Sequence, residues 1–229
     1  MGLPTVLLFD VDGTLVDTGG AGRRSIEAAF SEVFGEPFGP LGFPFAGMTD
    51  RSIIRRGLAQ RGLEANEALM EAIVRAYLAR LAVEVPASTS YRVLTAVADV
   101  VDAALATPRF AIGLGTGNVA EGARIKLRRG GLAERFAFGG FGCDHEERAE
   151  LLRAGARRGA ERLGEALSAC RVVVIGDTPK DIAAALAIGA ECLAVATGPF
   201  EVEQLAGLGA SRVAADLSDA DAVRWLLSG

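Results

Sequence analysis

Histidine occurs once in this 229-residue chain, at His145, and cysteine three times, at Cys143, Cys170 and Cys192. One imidazole cannot build a His-based metal cluster, and three widely separated thiols fit neither a disulfide framework nor a zinc site with paired ligands. Lysine is almost absent: Lys126 and Lys180 stand alone among the arginines. The net charge of -5 leaves no electrostatic footprint for nucleic acid, so an anionic substrate requires local positive charge or a metal. No apolar run approaches the length of a bilayer span, and Met1-Gly2-Leu3-Pro4-Thr5 lacks the basic region of a signal peptide. These absences predict a cytoplasmic protein, monomeric or homodimeric, with neither a membrane nor a nucleic acid as partner.

What the chain does have is apolar substance and well-placed acids. Half of it is hydrophobic, enough for a sizeable core. The run from Val6 to Phe9 reads as a buried strand and ends in Asp10-Val11-Asp12-Gly13-Thr14. Residues at i and i+2 of an extended backbone point the same way, so Asp10 and Asp12 converge just beyond the strand's carboxyl end, where open α/β sheets bind ligands. Adjacent carboxylates repel unless a cation or a shared proton intervenes, and Mg2+ suits such a pair together with phosphate oxygens. A solvated acidic turn is the bland alternative. A calcium loop fits poorly, because no Glu stands at its twelfth position and a strand precedes it.

From about residue 110 the chain alternates strand and helix: strands at 110–114, 171–175, 192–196 and 212–214, helices at 119–129, 179–188, 201–208 and 219–227. This order predicts an α/β fold, a doubly wound, mostly parallel, Rossmann-like sheet. Residues 18–86 differ, with amphipathic helices at 23–34, 50–60 and 64–81 and no strand signal. They are expected to form an inserted helical cap above the acidic loop, leaving 1–17 and 87–229 as the α/β core, with 86–90 as the return linker.

Two further loops stand at strand ends. Thr116-Gly117-Asn118 offers a hydroxyl, backbone N–H groups and a helix amino terminus, which make either an anion site or an ordinary strand-to-helix turn. Gly176-Asp177-Thr178-Pro179-Lys180-Asp181 places Thr178 as N-cap and Pro179 at the first helical position, freeing Asp177 to project. Asp181 then falls in the first helical turn, where it could simply complement the dipole.

Asp10-x-Asp12-Gly-Thr, Thr116 after a later strand and Gly-Asp177-Thr-x-x-Asp181, in this order, resemble signature motifs of the haloacid dehalogenase superfamily in its phosphatase branch. The helical insertion is similar to the superfamily's first cap class, found in phosphoglycolate phosphatases and β-phosphoglucomutases. The resemblance implies a Mg2+-dependent phosphatase acting on a small phosphorylated metabolite, phosphoglycolate-like. Asp10 would be the nucleophile that forms an aspartyl-phosphate, and Asp12 the general acid and base. Mg2+ would be held by Asp10, the main-chain carbonyl of Asp12, and Asp177. Thr116, Gly117 and Asn118 would hold phosphoryl oxygens, and Asp181 would orient metal-bound water or a neighbouring cation.

The chain departs from the family where a Lys is normal on the helix before the last metal motif. Arg148 stands there, with Arg153 less well placed; Lys126 belongs to the helix after Thr116, and Lys180 to the final motif. Arg51, opening a cap helix, is a candidate substrate reader. A phosphosugar mutase using the same aspartyl-phosphate and a catalytically silent binding protein are the alternatives.

Overall fold

A computed structural model describes residues 2–228. β1 (Thr5–Phe9) is buried at every position. The acidic loop after it leads through the two-residue strand β2 (Val16–Asp17) into three helices, α1 (Ala21–Phe34), α2 (Asp50–Gln60) and α3 (Glu67–Ala87). The chain returns through β3 (Arg92–Val93), which pairs antiparallel with β2, so departure and return lie side by side. It continues through α4 (Val97–Leu105), β4 (Phe110–Thr116), α5 (Ala120–Arg128), β5 (Gly139–Phe141) and α6 (Arg148–Leu163). β6 (Arg171–Gly176), α7 (Pro179–Ala187), β7 (Glu191–Val195), α8 (Val202–Leu205), β8 (Arg212–Ala214) and α9 (Ala220–Leu227) complete it.

The six long-sheet strands run in the order β5-β4-β1-β6-β7-β8, every neighbouring pair parallel. This is the doubly wound α/β fold, and β1 lies where the winding reverses, the position at which such sheets open a ligand crevice. Period-two alternation divides the core between two faces. Leu7 and Phe9 pack with Ile112, Leu114 and Ile175 on one face, while Val6 and Leu8 pack with Leu151, Leu152 and Val174 on the other. A third cluster, including Phe30, Ile54, Leu58, Ile73 and Tyr77, lies within the helical segment and is joined by Val119 from the start of α5. Among the described residues no helix is long and apolar enough to cross a membrane.

Several element boundaries differ from the sequence reading, among them the return linker, whose first two expected residues, Pro86 and Ala87, still belong to α3. α3 continues past 81 and carries Pro86 in its final turn, where proline forfeits only one helical hydrogen bond. β5 carried no sequence signal because it is three residues long and two of them are glycine. Those glycines let α6 approach: a Cβ on Gly140 would lie 1.8 Å from the Leu151 carbonyl oxygen. The close approach carries the first residue of α6, Arg148, to the carboxyl ends of the strands.

Candidate active site

Parallel register brings the acidic loops together. Phe9 is level with Leu114 and with Ile175, so Asp10, Thr116 and Asp177 leave the sheet at one end. The Asp10 backbone N–H donates to the Ile175 carbonyl at 2.9 Å, and Val11 N–H donates to Asp10 Oδ1 at 2.8 Å. At the start of α7, Thr178 and Asp181 form a capping box with Pro179 in the first turn. Asp181 Oδ2 accepts from the Thr178 hydroxyl at 2.7 Å and from Thr178 N–H at 3.1 Å.

Arg148 answers the remaining charge. Its Nε donates to Asp181 Oδ1 at 2.8 Å, and its Nη2 lies 2.7 Å from Asp10 Oδ2 and 2.6 Å from Asp181 Oδ1. Burial disfavours the guanidinium charge, but Asp10 and Asp181 more than compensate and hold its pKa above the ordinary value. Asp181 thus lies in direct contact with a neighbouring cation, Arg148. Arg153 instead pairs with Glu150 on the exposed side of α6.

Asp177 is less well served. It is almost fully buried, and among the described residues it accepts one hydrogen bond, from the Thr14 hydroxyl at 3.2 Å. Burial, followed by the nearby Asp10 and Asp181 charges, pushes its pKa up to about 8. Burial likewise raises Asp10 to about 6, against the opposing pull of Arg148. Asp10, Asp177 and Asp181 each offer an oxygen within 4.8 Å of the others, and when all three are ionised one guanidinium leaves the trio two charges short of neutrality. A divalent cation fits that deficit. The main chain is drawn in close: Gly13, at φ 79°, turns beneath Asp177, and a Cβ there would lie 2.4 Å from Asp177 Oδ2.

Asp12 belongs to a different network. Its Oδ2 accepts from Lys126 Nζ at 2.6 Å and from Asn118 Nδ2 at 2.9 Å, which draws its carboxylate away from the acidic trio. Asn118 Oδ1 accepts from Lys126 Nζ at 2.6 Å, and Asn118 Nδ2 also donates to Thr116 Oγ1 at 2.8 Å. The Asn118 side-chain amide is therefore committed to holding Asp12, Lys126 and Thr116. Thr116 is fully buried, and its hydroxyl oxygen also accepts from the Asn118 backbone N–H at 3.3 Å. The Gly117 carbonyl accepts from Asp50 N–H at 2.8 Å.

Lys126 was not anticipated as a site residue. The available signal was a lysine about two turns into the helix after Thr116, on the face that Ala123 and Leu127 bury; what hid it was that helix periodicity does not tell which loop lies above the helix end.

A cavity of about 270 Å3 lies over these groups. Asp10, Asp12, Thr116, Arg148 and Asp177 form its floor, and Ile26, Phe45, Met48, Ile53 and Tyr77 of the helical segment face them. Arg51 is not among its lining residues. It donates to both carboxylate oxygens of Glu67, at 2.9 and 2.8 Å, and lies 3.7 Å from Glu146. The correction has a helical cause: consecutive residues point about 100° apart, and Asp50 takes the inward position. His145 is on an exposed loop, its Nδ1 accepting from Glu147 N–H.

With this geometry in place, comparison with known proteins adds the following. A family model described as haloacid dehalogenase-like hydrolase matches residues 4–189. No curated protein matches the chain. A predicted phosphatase from Clostridium acetobutylicum superimposes with a TM-score of 0.70 at 17% identity, covering 100% of both chains. A predicted phosphoglycolate phosphatase from Haemophilus somnus 129pt gives 0.68 at 18% identity over 95% of this chain and 96% of its own. A putative β-phosphoglucomutase from Bacteroides vulgatus gives 0.65 at 20% identity over 97% of this chain and 87% of its own. At these identities the structural likenesses establish a shared fold.

Proposed function

The chain belongs to the haloacid dehalogenase-like hydrolases, and from that premise we propose that it is a Mg2+-dependent phosphatase hydrolysing a small phosphate monoester through an aspartyl-phosphate on Asp10. One observation carries the reading: the carboxylates at one cavity divide into two groups, Asp10 and Asp177 lining it beside Arg148, which the buried Asp181 holds from behind, and Asp12 lining it on Lys126. Such a division suits a nucleophile with a metal site beside a separate acid and base.

In the first step an Asp10 carboxylate oxygen bonds to phosphorus as the ester P–O bond breaks, and Asp12 gives its proton to the departing oxygen. In the second, water attacks the same phosphorus and gives a proton to Asp12 as the bond to Asp10 breaks, releasing inorganic phosphate. Arg148 fixes Asp10 and contributes positive charge to the phosphoryl oxygens, while Thr116 and the backbone N–H groups of Gly117 and Asn118 bind them. Asp10 and Asp177, with the main-chain carbonyl of Asp12, would hold Mg2+, which when bound neutralises charge on the transferring group.

Phosphoglycolate is the first substrate to try. The cavity leaves room for a small leaving group beyond the phosphoryl site, and one protein of this fold is described as a predicted phosphoglycolate phosphatase. The test is a screen of the purified protein against phosphate monoesters, with Mg2+ and with EDTA. Phosphate release that requires the metal supports the proposal. An isomerised sugar phosphate without release would make the chain a phosphosugar mutase, and binding without turnover a silent binding protein.

A further inference from the structure

We propose that Lys126 is a positioning residue that sets Asp12 for proton transfer and ties that setting to the seating of the helical segment above it; this rests on the phosphatase reading. Lys126 is only 4% exposed, so its ammonium is withdrawn from water and must be satisfied by protein. Two of its three protons go to Asp12 Oδ2 and Asn118 Oδ1, both at 2.6 Å. Asn118 Nδ2 donates to the same Asp12 oxygen at 2.9 Å.

One oxygen of the Asp12 carboxyl is therefore held from two sides, whereas Oδ1 has no hydrogen-bond partner among the described residues. The carboxyl borders the cavity, and its side chain is 44% exposed. An acid with one oxygen anchored and the other presented to the leaving group moves a proton at a defined atom, which is what general catalysis requires. The ammonium also supplies the countercharge for the carboxylate that Asp12 becomes when its proton departs.

The other side of Lys126 faces the helical segment. Asp50, first residue of α2, binds the loop below through Val119 N–H, which donates to Asp50 Oδ2 at 2.9 Å. Asp50 and the buried Tyr77 of α3 both lie close enough to Lys126 to feel its charge. Gly22 of α1 covers it: a Cβ there would lie 3.3 Å from Lys126 Nζ. A single buried cation thus stands between the acid on the sheet side and a carboxylate carried by the inserted helices.

The test separates this role from simple structural support by leaving-group dependence. With an alkyl phosphate the departing oxygen needs a proton, whereas p-nitrophenolate leaves without one; kcat/KM reports the steps up to leaving-group release for both esters. Lys126→Met, which keeps the side chain's length without its charge, is expected to lower kcat/KM for the alkyl ester by about 100-fold or more, as losing general acid help does. For the aryl ester the loss should stay below about tenfold, and Lys126→Arg should recover part of the alkyl activity. An equal fall for both esters, or no fall, overturns the role. If circular dichroism shows Lys126→Met unfolded, Asn118→Ala, which releases the same Asp12 oxygen, is read by the same ratio against the same criteria. A wild type that hydrolyses neither ester overturns the phosphatase reading and this role with it. If Asp12→Asn shows the leaving-group dependence and the Lys126 and Asn118 variants do not, only the positioning role fails.

Discussion

Replacing Arg148 by Met removes the one cation among the described residues that touches both Asp10 and Asp181, at 2.7 and 2.6 Å, and leaves three buried carboxylates within 4.8 Å of one another. Removing one partner of a buried ion pair costs about 3–5 kcal/mol. At about 2–4 °C per kcal/mol for a chain of this size, the melting temperature in EDTA near pH 7.5 should fall by about 6–20 °C. The deficit should depend on pH in a fixed direction. Without Arg148 the folded-state pKa of Asp10 climbs further above its ordinary value, having already been raised to about 6 in its presence. A carboxyl whose pKa is raised by folding stabilises the fold when protonated, and this contribution is lost as pH rises through the folded pKa. The variant's deficit should therefore shrink as the pH is lowered from 7.5 towards 5. Saturating Mg2+ should also restore part of the melting temperature by mass action and by neutralising the same charges. Arg148→Lys keeps the charge but not the fork that spans two carboxylates, and should fall between the two. Melting by circular dichroism at both pH values is the assay. An unchanged melting temperature, or a deficit equal at both pH values, refutes the reasoning.

The raised pKa of Asp177, about 8, makes a proton compete with Mg2+. Apparent Mg2+ affinity should weaken by about tenfold for each pH unit below that value per proton displaced, and a titration flat from pH 6 to 8 would contradict it. In EDTA the same group should favour folding at acid pH and lose that contribution as pH rises from its ordinary value towards 8. Asp177→Ala should raise the Mg2+ concentration for half-maximal activity; superimposable titrations would remove it from the ligand set. Asp12→Asn should lower kcat/KM for an alkyl phosphate by roughly 100- to 10,000-fold, and a loss below about tenfold would exclude it as acid and base. Arg51→Ala should leave kcat/KM within about twofold and stability within about 1 kcal/mol, since its pairings are peripheral ion pairs. A tenfold loss of kcat/KM would return it to the substrate site.

The strand-borne part of the site was legible because it is local. Asp10, Thr116 and Asp177 each end or follow an apolar run, and parallel register makes three strand ends coincide whatever the helices do. The Thr178–Pro179–Asp181 cap was equally readable from adjacent residues. Helix-borne contributions were harder, because they depend on how each helix rotates over the sheet. Arg148 was found through its place before the last acidic motif, but its link to Asp10 needs the Gly140–Gly155 approach that draws α6 inward. Lys126 was missed for the same reason, and the side-chain contacts of Asn118 were out of reach with it: sequence spacing places both after Thr116 without revealing that they turn towards Asp12. Asp50 and Arg51 show the limit at its narrowest, with adjacent charged residues, one buried against the loop before α5 and one paired at the periphery.

The central claim is that Asp10 carries the phosphoryl group, and it is tested most directly by finding that group. Asp12→Asn mixed with p-nitrophenyl phosphate and Mg2+ should still expel the leaving group, which needs no proton, but should hydrolyse the acyl-phosphate slowly for want of a base. After an acid quench, peptide mass spectrometry should locate one phosphoryl group on Asp10. Nitrophenolate release with the phosphoryl group on another residue, or on none, would contradict the account.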